Sequence, residues 1–129
     1  MNILIADDHA CVRNGLREIL ADVFPETHFS EACNGDEVFG LLAESEYSLL
    51  LLDINMPGRN GLEVLRDVKI IYPRIPVVIV SVQPEDQYKM RCLRAGASGY
   101  INKDRAPEIL ARMISEVLGD GRCETQHSA

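Results

Sequence analysis

The chain has 129 residues, enough for one domain with a single hydrophobic core, and its 47% apolar content excludes a disordered segment. A formal charge of −7, from 13 basic and 20 acidic residues, speaks against unaided binding of nucleic acid. No apolar run approaches the roughly 18 residues of a membrane span, and no basic region precedes the short apolar N-terminal stretch, so neither a membrane helix nor a signal peptide is expected.

In chain order, apolar segments alternate with amphipathic ones. Strands are predicted at Asn2–Ala6, His28–Ala32, Ser48–Asp53, Pro76–Ser81 and Gly99–Asn102. Between and after them, helices are predicted at Ala10–Val23, Asp36–Ser45, Gly61–Tyr72, Pro84–Ala95 and Pro107–Leu118. Leu16, Ile19, Leu20 and Val23 form the apolar stripe of the first helix, at spacings of three and four. Leu62, Leu65, Val68 and Lys69 begin a similar pattern in the third. Residues 119–129 are polar and contain glycine, and they read as a frayed end or the start of a linker. The cysteines, Cys11, Cys33, Cys92 and Cys123, show no CxxC and no close pairing, so free thiols in a cytoplasmic protein are expected.

Strict β-α alternation with short connections implies an α/β fold: a doubly wound, five-stranded parallel sheet with helices on both faces, flavodoxin-like in architecture. The near-continuous apolar runs Leu49–Leu52 and Val77–Val80 suit its central strands. In such folds, sites form outside the carboxyl ends of the strands. Asp7 and Asp8 follow the first strand, Asp53 ends the third, Ser81 ends the fourth and Lys103 follows the fifth. Carboxylates delivered to one place repel one another unless a cation sits among them. The set suits phosphoryl chemistry. A carboxylate, Asp53, can attack phosphorus. Mg²⁺ can bridge carboxylate and phosphoryl oxygens. Lys103 and Ser81 can engage the remaining phosphoryl oxygens as a charge and a hydrogen-bond donor.

These residues, in this order and at these strand ends, resemble the receiver domain of bacterial two-component response regulators. The likeness runs from Asn2 to about Leu118 and includes Asp53-Ile54-Asn55-Met56-Pro57-Gly58 with Asn60-Gly61, and Ala95-Gly96-Ala97-Ser98-Gly99-Tyr100. It implies Asp53 as phosphoacceptor, with Lys103 and Ser81 holding the phosphoryl group. It also implies Mg²⁺ (Mn²⁺ as a substitute) on Asp8, Asp53, the Asn55 backbone carbonyl and, through water, Asp7. Ser81 and Tyr100 would be the switch residues. On phosphorylation Ser81 would move toward the phosphoryl group, Tyr100 would turn inward, and the face of the fourth helix, fifth strand and fifth helix would change. The implied donor is a sensor histidine kinase, and the implied readout is homodimerisation or release of an output domain.

Asp7-Asp8-His9 with Val12-Arg13 and Gly15-Leu16, and Gly99-Tyr100-Ile101-Asn102-Lys103-Asp104 with Pro107-Glu108, resemble the NarL/FixJ-like (LuxR-type) class in particular. That class usually reads DNA through a C-terminal helix-turn-helix domain. The chain is therefore read as a receiver of residues 1–118, either standing alone or as a piece of a longer regulator. Val82, after the switch serine, is larger than the family's usual residue and is expected to narrow access to Asp53. His9, beside a helix start, is read as structural or exposed and is left out of the site.

Other functions compete on the same residues. A haloacid-dehalogenase-type phosphatase also uses a strand-end aspartate with Ser, Lys and Mg²⁺, but needs a second acid two positions on, where this chain has Asn55. A flavin-binding module shares the architecture, yet its phosphate loop would have to contain Asp7-Asp8, which repel phosphate. A degenerate receiver used only for docking would not need the complete set.

Overall fold

The computed structural model of the chain describes residues 1–82 and 85–127, with the side chains of 85–87 and 120–127 outside that description. Its strands are β1 (Asn2–Ala6), β2 (His28–Ala32), β3 (Leu49–Asp53), β4 (Val77–Ser81) and β5 (Gly99–Asn102). Its helices are α1 (Ala10–Val23), α2 (Gly35–Glu44), α3 (Gly61–Ile71), α4 (Glu85–Arg94) and α5 (Ala106–His127), with a 3₁₀ turn at Lys103–Arg105. The strands form one parallel sheet in the order β2-β1-β3-β4-β5, the doubly wound fold expected from the alternation.

Period-two alternation sends the strand residues to two cores. Ile3, Ile5, Leu49, Leu51, Val78, Val80 and Ile101 pack with Leu16 and Leu20 of α1 and Leu110 and Ile114 of α5. On the opposite face, Leu4, Leu50, Leu52, Val77 and Ile79 pack with Val38 and Leu42 of α2, Val64, Leu65 and Val68 of α3, and Cys92 of α4. β3 and β4 are buried along their whole length, as central strands must be. At roughly 1.5–3 kcal/mol per buried aliphatic side chain, these two layers hold the strand ends in fixed register.

Several element ends differ from the sequence reading. α2 starts at Gly35 rather than Asp36, because the Asn34 side chain accepts the Glu37 N–H and caps the helix one residue earlier. α5 continues to His127 instead of stopping at Leu118. Glycine in a helix costs about 1 kcal/mol but does not forbid it, and no proline follows Pro107 to end it. The expected start of α4 at Pro84 lies outside the described residues. Val23 is 47% exposed and does not complete the α1 stripe. The helix ends there, and Phe24 packs against the core in its place. Lys69 is no member of the apolar face of α3. Its ammonium donates to the Pro73 and Ile75 carbonyls at 3.0 and 2.8 Å, closing the turn that leads into β4. Among the described residues, Cys11, Cys33 and Cys92 are free thiols, and no helix is long and apolar enough to cross a membrane.

Candidate functional site

The register of the sheet brings the acids together. Ala6 pairs with Leu52, so Asp7 and Asp53 follow side by side, and Asp53 pairs in turn with Val80 of β4. Ser81 pairs with Asn102, which places Ser81 and Lys103 just beyond that row. Asp7, Asp53 and Ser81 are 1%, 2% and 0% exposed, the buried polar and charged side chains among the described residues.

Lys103 is the bond between the strand ends. Its Nζ lies 2.8 Å from Asp7 Oδ2 and 3.3 Å from Asp53 Oδ2. The lysine reaches them from the 3₁₀ turn after β5, where the Asn102 side chain accepts the Asp104 N–H at 2.9 Å. A proline at position 104 could not donate this bond, so Lys103-Asp104 is a working turn. The other Asp53 oxygen, Oδ1, accepts the Asn55 backbone N–H at 3.0 Å. Both oxygens of Asp53 are thus held.

Burial raises the Asp53 pKa above the usual carboxylate range, and the neighbouring Asp7 charge adds to the rise; the Asn55 N–H and Lys103 oppose it. For Lys103, burial works against the charge, but the pairs with Asp7 and Asp53 outweigh it and raise the pKa. One ammonium therefore serves two buried acids and sits closer to Asp7. Asp53 is left underneutralised.

Asp7 and Asp8 do not cap α1. The N-cap is His9, which makes no side-chain cap bond, and the N–H groups of Val12 and Arg13 both donate to the His9 carbonyl. Asp7 Oδ1 instead accepts the His9 N–H at 2.9 Å, and the Asp7 carbonyl accepts Arg13 Nη1 at 2.6 Å. Arg13 Nε donates to Glu31 Oε1 at 2.7 Å, tying α1 and β2 to the acidic strand end. Asp8 is 27% exposed and stands beside His9.

Asp7 Oδ2 and Asp8 Oδ1 are buried atoms, met only by the Lys103 ammonium at 2.8 Å and the His9 ring at 3.1 Å among the described residues. Closely spaced hard oxygen donors with lone pairs to spare fit a divalent cation. The acidic cluster is of the kind that binds Mg²⁺.

His9, set aside on sequence grounds, belongs to this cluster: its Nδ1 is 3.3 Å from Asp7 Oδ1 and 3.1 Å from Asp8 Oδ1. Its place directly after two strand-end acids was the available signal. Tyr100 lies on β5, close to these strand ends. It is 3% exposed and already packed in the core cluster with Ile79, Cys92 and Ala97, so the inward position is the one seen here. Val82 is 61% exposed beside the fully buried Ser81. A hollow of about 490 Å³ near Tyr47, Tyr72 and Ile75 lies at the opposite ends of the strands, away from these groups.

The profile of the response regulator receiver domain matches residues 3–115. The response regulator GacA of Pseudomonas aeruginosa is 34% identical over 122 residues, which cover 95% of this chain and 57% of that protein. The response regulator UvrY of Escherichia coli K12 is 30% identical, with 95% and 56% covered. The chain thus spans little more than half the length of these relatives. Among solved structures, a CheY-like response regulator receiver domain protein from Methanospirillum hungatei JF-1 superposes with a TM-score of 0.84 at 27% identity, covering 95% of this chain and 97% of that one. A LuxR-family two-component response regulator from Aurantimonas sp. SI85-9A1 gives 0.84 at 28%, covering 92% and 85%.

Proposed function

The chain belongs to the response regulator receiver family, and we propose that Asp53 is the phosphoacceptor through which it works as a phosphorylation switch. A receiver is a signalling module rather than an enzyme in the usual sense, and membership implies a cognate histidine kinase. The observation that carries the assignment is the Lys103 ammonium shared by two buried carboxylates, with Asp53 also held by the Asn55 N–H.

The donor is a phosphohistidine of the sensor kinase. An Asp53 oxygen attacks phosphorus, the P–N bond breaks, and the histidine leaves with its electron pair. Lys103 holds one phosphoryl oxygen and the Ser81 hydroxyl donates to another. Asp8, Asp53, the Asn55 carbonyl and, through water, Asp7 are the proposed holders of Mg²⁺ or Mn²⁺, which supplies charge neutralisation between carboxylate and phosphoryl group. Asn55, which has no side-chain proton to give at neutral pH, leaves no general acid for a dehalogenase-type second step.

The readout is a population shift on the face formed by α4, β5 and α5, driven by new contacts to the phosphoryl group. With Tyr100 already buried, the ring's part is to stabilise the inward state once Ser81 has moved. The shift controls homodimerisation or the output domain. The resemblances to GacA, UvrY and LuxR-family regulators support a cytoplasmic NarL/FixJ-like transcription regulator. Its receiver covers residues 1–118, and a C-terminal helix-turn-helix domain makes the contact with DNA.

The test is intact mass after incubation with Mg²⁺ and acetyl phosphate, for wild type and Asp53→Ala. One phosphoryl group gained by the wild type alone, and lost with a chelator, is expected. Equal labelling of Asp53→Ala would remove Asp53 from the role. Size-exclusion chromatography of the labelled species reads the switch.

A further inference from the structure

We propose that the end of the domain opposite Asp53 is an interface for a second copy of this chain. It is centred on the apolar hollow between the ends of α2 and α3, with Glu46 of each copy paired to Arg74 of the other. The inference does not depend on the reading of Asp53.

The hollow, about 490 Å³, has Leu42, Tyr47, Tyr72 and Ile75 in its wall. That wall is fixed in advance. Lys69 Nζ donates to the Pro73 and Ile75 carbonyls, and the Ile75 N–H donates to the Tyr72 carbonyl at 3.2 Å. On the other side, Asn2 Nδ2 donates to the Glu46 carbonyl at 3.1 Å. An occupant therefore pays little to order the recess. Beside it α3 ends in Ile70 and Ile71, 76% and 58% exposed. Ile71 follows Asp67 by one turn, and Asp67 meets Arg59, whose guanidinium lies over the Phe39 ring of α2. Ile71 thus stands on the flank of α3 that faces α2 and borders the hollow. An exposed apolar knob next to an apolar hole marks an interaction surface. A two-fold axis between them lets each copy's knob enter the other's hole.

The charges select a second copy as the occupant. Glu46 and Arg74 are exposed on the rim of the hollow, and neither side chain has an ion-pair partner among the described residues. The bond to Asn2 places Glu46 toward β1, whereas Arg74 lies in the turn that leads into β4. β1 and β4 flank β3 in the sheet, so the two charges sit on opposite sides of the apolar centre, separated by about 5–10 Å at one to two strand spacings. A fitting partner presents a cation opposite Glu46, an anion opposite Arg74 and an apolar knob between them. This same surface, turned about a two-fold axis, presents all three.

The test is sedimentation equilibrium of the unphosphorylated, metal-free protein from micromolar to millimolar concentration. The wild type should show a reversible monomer–dimer equilibrium. Arg74→Glu and Ile71→Glu should each weaken it about tenfold or more. Combining Glu46→Arg with Arg74→Glu should restore the dimer to within about threefold of wild type, because the pairs re-form with the signs exchanged. Arg112→Glu on α5, 76% exposed and far from the hollow, should change nothing. All four positions are exposed, and circular dichroism confirms that each variant is folded. A wild type that stays monomeric throughout would overturn the proposal and give the hollow to another occupant. A dimer lost with Arg112→Glu but kept with Arg74→Glu, or one that the exchanged pair does not restore, would overturn it as well.

Discussion

Replacing Gly61 by alanine should damage both the fold and the site, by an amount that follows from the structure. A Cβ at this position would lie 2.3 Å from the Ile54 carbonyl oxygen, 2.5 Å from Ile54 Cα and 2.6 Å from its carbonyl carbon. Ordinary contact needs about 3.5 Å, so the deficit is about 1 Å. The obstructing atoms are backbone, and no side chain can rotate away. Relief requires a shift of Ile54 or of the first turn of α3. Moving α3 disturbs Val64, Leu65 and Val68, all buried. Moving Ile54 disturbs the turn in which the Asn55 N–H holds Asp53. Overpacking of this kind costs about 1–3 kcal/mol, offset by less than about 1 kcal/mol from the better helix propensity of alanine. The net loss is about 2 kcal/mol, or roughly 6–10 °C in Tm for a chain of this size. Circular dichroism during thermal unfolding measures it, and labelling by acetyl phosphate should slow about tenfold as Asp53 is displaced. Gly40→Ala is the control. Nothing lies within 4 Å of its Cβ, in the middle of α2, so it should be neutral or stabilise by about 0.5–1 kcal/mol. A Gly61→Ala protein with wild-type Tm and labelling rate would refute the argument that this close approach sets the β3–α3 turn.

Asp53→Asn should raise the stability of the metal-free protein at pH 7, because an underneutralised buried charge is removed. The folded-state pKa of Asp53 is raised, so its contribution is fully present below the unfolded value of about 3.9 and is lost as pH rises through the folded value. The advantage of the variant should accordingly vanish below about pH 4; urea unfolding across pH checks it, and a variant advantage that grows on acidification would contradict the sign. Lys103→Met leaves Asp7 and Asp53 buried without their shared cation and should cost about 3 kcal/mol in metal-free buffer. Millimolar Mg²⁺ should restore part of that loss, and equal unfolding midpoints for wild type and variant without metal would argue against the shared ion pair. Asn34→Ala removes the α2 cap and should cost about 1 kcal/mol by thermal melt, with no effect on labelling.

The order of strands and helices, and the strand-end positions of Asp7, Asp8, Asp53, Ser81 and Lys103, were legible from the amino-acid sequence. Period-two and period-3.6 patterns are local properties, and parallel β-α alternation sends every strand's carboxyl end to one side. Contacts between residues far apart in the chain were not legible. That Lys103 bridges Asp7 and Asp53 depends on register across four strands, β1, β3, β4 and β5, and the close approach of Gly61 to Ile54 depends on how α3 packs. The buried position of Tyr100 was decided by the room its core cluster leaves for a ring. The role of Lys69 as a clasp for the turn before β4, and the continuation of α5 past its glycines, also went against the local pattern. Each was settled by a partner or a neighbour that periodicity does not encode. His9 shows the division most clearly. Its place beside two acids was visible in the sequence, but only the turn closed by Asp7 points its ring at them. Local periodicity determined which elements form and in what order; capping and long-range packing decided where several of them end and which charged atoms meet, because distances of 3 Å are set by the whole sheet.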